Sequence, residues 1–238
     1  MSINLTFINY ILLFLIAIYV VQGVHKGFLM SLSATAGMGA SWLVASAVTP
    51  MLSAQIAKGS TYTFLLYMTD ISDQISVELA RTPVQSLSPD QIKDVVDRAN
   101  LPVPFGDTLH ANMNHLAFAQ LKDVTTVADY LNHTVANITV NIMSFLIIYI
   151  LARVFITLIV SSMYSAQPFP VLKNFDGLVG GMLGGVRGFC AMYAVVMILP
   201  VMVLLIAQPA FTQSINQSVW LTFFYKTNFL YGFISGVV

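Results

Sequence analysis

Four apolar runs dominate the pattern of hydrophobic and polar positions: residues 3–21, 28–48, 138–160 and 189–207. Each is close to or above the about 20 residues that a helix needs to cross the hydrocarbon core of a bilayer. Backbone groups in lipid must pair internally, and none of the runs alternates like a barrel strand, so all four are read as helices. The expected fold is all-α: a polytopic integral membrane protein with four transmembrane helices. No Lys or Arg precedes the first run, which is also longer than the apolar core of a signal peptide, so it is expected to be retained. Pro200 should bend the fourth run, because an internal proline lacks a backbone donor and clashes with the preceding turn.

The polar stretches divide the chain into a helical hairpin (1–50), an acidic helical region (51–136), a second hairpin (137–208) and an aromatic tail (209–238). Within the acidic region, "SLSPDQIKDVVDRANLP" places Ser88 as a cap, Pro89 at the first helical position and Gln91 three residues after the serine, a capping-box pattern. Ile92, Val95, Val96 and Ala99 follow at helical spacing, which predicts a short amphipathic helix. A second short helix is expected near residues 71–79. The segment "TYTFLLYM" at 61–68 is too short to span, and either lies against the bilayer or continues the second helix. From about Thr125 a helix free of Gly and Pro can run into the third span as a stalk. Trp and Tyr crowd the tail, which is read as an interfacial helix, with a strap packed on the bundle as the alternative.

Six of the fourteen glycines lie in "NFDGLVGGMLGGVRGF", residues 174–189. On a helix, Gly177, Gly180, Gly181, Gly184, Gly185 and Gly188 share an arc of about 140° and form two small-xxx-small ladders. Such faces let helix backbones approach closely where lipid offers no hydrophobic drive. The second span carries a matching face in Ser33, Gly37 and Ser41, so these two helices are expected to cross tightly.

Charge refines the picture. The chain is 57% hydrophobic and only 8% charged, with ten basic and ten acidic residues, so no global field recruits nucleic acid. Nine of the ten acids lie between the second and third spans; the tenth is Asp176. Lys26, Lys173 and Arg187 fall in or beside the short connections, which places those connections in the cytoplasm and the 51–136 loop and both termini outside. Arg187 either marks the membrane boundary and snorkels or is buried with a specific partner. Arg153, inside the third run, raises the same question, with Asp176 as the candidate partner. "GVHKGF" at 23–28 echoes "GGVRGF" at 184–189, as though each half were an equivalent hairpin.

No catalytic or metal-binding motif is present: HExxH, CxxC, GxSxG and GxxxxGK[ST] are all missing. His110 and His115 are five apart, a poor fit to a helical metal pair. Cys190 stands alone and reads as an apolar packing residue. No catalytic residue, metal or cofactor is expected.

Together, Lys26-Gly27-Phe28 after the first span and Asp176, Gly180, Gly184, Arg187 and Gly188 before the last resemble the colicin V production protein (CvpA) family. The resemblance covers the membrane portion, about half the chain. Asn9 stands where members often carry an acidic residue, and the loop of roughly ninety residues is longer than in compact members. It implies a four-helix protein of the bacterial plasma membrane, linked to bacteriocin production and envelope homeostasis. The expected function is therefore a non-enzymatic scaffold or export accessory, with a protein partner at the outer region or a homo-oligomer. A subunit of a small transporter or channel is the alternative.

Overall fold

The computed structural model describes residues 5–68, 70, 75–162, 175–206 and 218–234. The described residues are all helical apart from turns and one isolated β-bridge, Pro83 to Thr126. Among the described residues, three helical stretches are long and apolar enough to cross a membrane: Asn9–Ala57, Val127–Ser162 and Asp176–Leu204.

The first of these belongs to α1 (Leu5–Ala57), which is broken at Gly27. Gly27 has φ 72° and ψ −179°, a conformation that side-chain-bearing residues rarely adopt. Across it, the Ser31 hydroxyl donates to the Gly23 carbonyl at 3.3 Å. An unbroken helix would hold those residues about 12 Å apart along its axis, so the chain turns sharply here. Two arms result, 5–26 and 28–57, each longer than the about 20 residues a crossing needs.

Contacts group the chain into two units. The first comprises the described parts of Met1–Val48, Phe145–Met197 and Gln208–Leu230. Its helices are the α1 arms up to Val48, the second half of α6 (Val127–Ser162), α7 (Asp176–Val196) and α9 (Val219–Lys226). Leu151, Val154, Phe155 and Leu158 on α6, and Leu178, Met182 and Val186 on α7, are all more than half exposed. An apolar surface this continuous is suited to lipid, and the chain is a membrane protein by length and composition of its helices.

The aromatic tail packs on the bundle, as the strap alternative has it, and its central aromatic does not lie on the surface. Phe224 of α9 is fully buried, with ring centroids 4.8 Å from Phe189 and 5.2 Å from Tyr193. The Asn228 amide donates to the Tyr193 carbonyl at 2.9 Å, and the Ser218 hydroxyl to the Asn9 side chain at 2.6 Å. Residues 209–217 of the tail lie outside the described part.

The second unit comprises the described parts of Thr49–Ser144, Ile198–Ala207 and Tyr231–Val238. It holds α2 (Ser60–Met68), α3 (Val77–Ala80), α4 (Pro89–Ala99), α5 (Phe105–Asn114), the start of α6 and α8 (Leu199–Ile206). The expected capping box opens α4: the Ser88 hydroxyl accepts from the Gln91 N–H, and the Gln91 side chain accepts from the Ser88 N–H at 2.8 Å. Ile92, Val95 and Ala99 are buried as their spacing required; Phe105, Leu109 and Met113 of α5 complete that core. The helix anticipated near 71–79 is confined to Val77–Ala80 in its described part, with residues 71–74 outside it. α2 is a separate helix after a turn at Lys58–Gly59.

α6 runs unbroken from Val127, as the absence of Gly and Pro allows. Helix α7 ends at Val196 and α8 begins at Leu199, so the interruption falls just before Pro200. There the missing N–H lies in a first helical turn, where no partner is required.

Candidate functional site

The glycine face of α7 packs against the first arm of α1, and not against the second span as its small-residue face suggested. The two ladders differ in what they meet. A Cβ on Gly180 would strike the backbone of Gly23 and Gly27, and one on Gly184 the Tyr19 carbonyl. A Cβ on Gly188 would stand 2.9 Å from the Tyr19 Cβ and 3.2 Å from the Ile16 Cα. A Cβ on Gly181 or Gly185 would instead meet a side chain, Val24 at 2.7 Å or Val20 at 3.4 Å, and one on Gly177 would stand 3.3 Å from the Val24 carbonyl. Gly23 supplies the reciprocal gap: its own Cβ would collide with the Gly180 carbonyl. The physical reason for the correction is that a glycine opposite a glycine permits closer approach than Ser33 or Ser41 would.

The small face of the second arm serves a different neighbour. A Cβ on Gly37 would stand 3.0 Å from Ile156 and 3.3 Å from the Arg153 guanidinium, both on α6. Ser41 donates to the Gly37 carbonyl at 2.7 Å and Ser33 to the Leu29 carbonyl at 2.8 Å, so both hydroxyls are satisfied within their own helix.

Asp176 begins α7, but its carboxylate also accepts the Phe28 N–H at 3.0 Å. It thereby caps the second arm of α1, where the glycine break frees backbone donors and the helix dipole favours negative charge. A Cβ on Gly27 would collide with this carboxylate, a second reason for glycine there. The expected Asp176–Arg153 pair is not formed. Arg153 instead donates from Nη1 to the Ala34 carbonyl at 3.0 Å.

Arg187 is 2% exposed, so it is buried, but the specific acidic partner of the buried reading is not found, since it forms no ion pair. Its Cζ lies 5.3 Å from the Tyr19 ring centroid, a cation–π arrangement, while its Nε and Nη2 are buried without a hydrogen-bond partner. Beside it is a cavity of about 310 Å³ lined by Gln22, Lys26, Ser33, Arg153, Thr157 and Arg187, among others. Among the described residues three cations line this space and no acid does. The one ion pair among the described residues is elsewhere, Arg98 to Asp94 at 2.8 Å.

The arrangement therefore joins Lys26, Arg153 and Arg187, which are far apart in sequence, around one cavity, and none of the three forms an ion pair with Asp176. Tyr19 and Gln22 were missed by sequence reasoning, because a polar residue near the end of an apolar run resembles an ordinary boundary position. Also missed were Asn137, Asn141 and Ser144, buried on one face of α6 at spacings of four and three. Asn137 accepts from the Tyr62 hydroxyl at 2.6 Å, and burial pushes that phenol up to about 12. Of the histidines, His110 contacts Asn114 on its own helix and His133 contacts Tyr62. Among the described residues no three His, Cys, Asp or Glu side chains are grouped to hold a metal. Lys173 lies outside the described residues.

No family model, no curated protein and no solved structure matches this chain.

Proposed function

We propose that the protein is a non-enzymatic scaffold or accessory factor of the bacterial plasma membrane. In this reading the two α1 arms, α6 and the α7 region make four crossings. Lys26, Arg153 and Arg187 lie toward the cytoplasm, while both termini and residues 51–136 are outside. The role is the one implied by its resemblance to the colicin V production family: support of bacteriocin export and envelope homeostasis. The acidic helices α3 to α5 would face a protein partner or a second copy of the chain.

The observation that carries this reading is the interlock of α7 with the first arm of α1. Helices in van der Waals contact through backbone atoms at Gly23, Gly180 and Gly184 are keyed in one register, and sliding would drive carbonyls into each other. A frame of this kind suits a scaffold. Alternating access requires two arrangements of packed helices. The transporter or channel alternative is favoured by the cationic cavity, since an ion path needs polar lining.

Locking the interlock separates the two. A Cβ at Gly185 stands 3.4 Å from a Val20 methyl, so Val20→Cys with Gly185→Cys, in a Cys190→Ala background, can be joined by oxidation or a short thiol linker. In a strain lacking the native copy, the locked protein should support bacteriocin release and envelope integrity like the unlocked one. Loss of function on locking, restored by reductant, would favour a moving transporter.

A further inference from the structure

We propose that the cavity between α1, α6 and α7 is a binding site for a phosphate group. Arg187 is the anchor. A guanidinium 2% exposed, with Nε and Nη2 unpartnered, is a buried charge whose compensation is incomplete. Tyr19 supplies a π face at 5.3 Å, which offsets part of that burial but accepts no hydrogen bond from the guanidinium edge. Arg153 and Lys26 line the same space, and the sole carboxylate of α7, Asp176, is engaged by the Phe28 N–H. The site therefore concentrates positive charge in a low-dielectric wall, with no carboxylate among its described lining residues.

The chemistry of the lining selects the ligand class. Arg presents planar donor pairs that match the oxygens of a phosphate, and Lys adds a point charge. Gln22 and Thr157 add neutral polar groups, while Met30, Ile156 and Val160 give the same cavity an apolar side. Basic pockets between membrane helices are suited to anionic lipid head groups, and free phosphate offers the same oxygens. The shared recognition element is the phosphate, whether it is carried by a lipid or free in solution.

The test uses the purified full-length chain in two settings. In an uncharged detergent, inorganic phosphate is titrated by calorimetry. In phosphatidylcholine nanodiscs with a minor fraction of phosphatidylglycerol, retained lipid is counted by native mass spectrometry. Arg153→Gln and Arg187→Gln should each weaken binding by about tenfold or more, the loss of a charge-assisted bond. Lys26→Gln, at an exposed side chain, should weaken it less while leaving the fold intact. Lys226→Gln in α9, outside the cavity lining, should bind like wild type. Phosphate binding with this variant pattern supports the site and a free anion; selective retention of phosphatidylglycerol with the same pattern supports the site and a lipid source. Binding of neither probe overturns the proposal, as does equal binding by wild type, Arg153→Gln and Lys26→Gln. An effect of Lys226→Gln equal to that of Lys26→Gln overturns it too, because retention would then be diffuse surface attraction. If Arg187→Gln does not accumulate, Arg153→Gln and Lys26→Gln carry the result.

Discussion

Gly184 and Gly185 are neighbours in sequence with unequal duties. A methyl group at 184 meets the Tyr19 carbonyl, whereas one at 185 rests at ordinary contact, 3.4 Å from Val20. Gly184→Ala should therefore lower the detergent melting temperature markedly, by an overpacking cost of about 1–3 kcal/mol, and Gly185→Ala should leave it nearly unchanged. Equal effects would remove the distinction between the two ladders. Asp176 offers a second comparison, because its carboxylate accepts the Phe28 N–H across the α1 break. Asp176→Asn keeps an acceptor and should be the milder change; Asp176→Ala should lose about 1 kcal/mol of cap stabilisation in thermal unfolding. The glycine run announced a close approach, but the run alone could not say to what. Its partner is the pair Gly23 and Gly27, a single small-xxx-small step that is short beside the ladders of α7. The fate of Arg187 was equally hidden: an arginine at the head of an apolar run has the same local signature whether it snorkels or is buried.

At the scale of elements, local chemistry was readable where it was self-contained. Ser88, Pro89 and Gln91 announced α4 because a capping box is satisfied within four residues. The unbroken course of α6 and the interruption ahead of Pro200 were equally plain, since each follows from the presence or absence of proline and glycine. Helix α5 was not foreseen: Pro102, Pro104 and Gly106 surround its start, and its burial depends on α4. The polar face of α6 was masked by the apolar average around it, although Asn137, Asn141 and Ser144 fall on one side. Tyr62 on α2 reports on this face. Its phenol is pushed up to about 12 by burial, from an ordinary value of 10.0. The unfolded state then loses its proton first, so the stabilisation is full below pH 10 and is lost as pH rises from 10 toward 12. Tyr62→Phe should flatten the alkaline fall in melting temperature over that interval. An identical fall in both proteins would show that this phenol does not contribute.

For the molecule as a whole, the break at Gly27 decides how many times α1 crosses the membrane. If the 5–26 and 28–57 arms are separate crossings, the connection at residues 22–27 lies on one side of the membrane. Lys58, beyond the second arm, lies on the other. The cations that line the cavity would then gather toward the side of short, basic connections, as the distribution of Lys and Arg requires. A single crossing by α1 would reverse these assignments for everything that follows it.

Cysteine accessibility in intact and permeabilised cells measures this directly, using His25→Cys and Lys58→Cys, each in a Cys190→Ala background. With a membrane-impermeant thiol reagent, Lys58→Cys should label in intact cells and His25→Cys only after permeabilisation. Labelling of both positions from the same side would contradict two crossings by α1, and with them the four-helix frame.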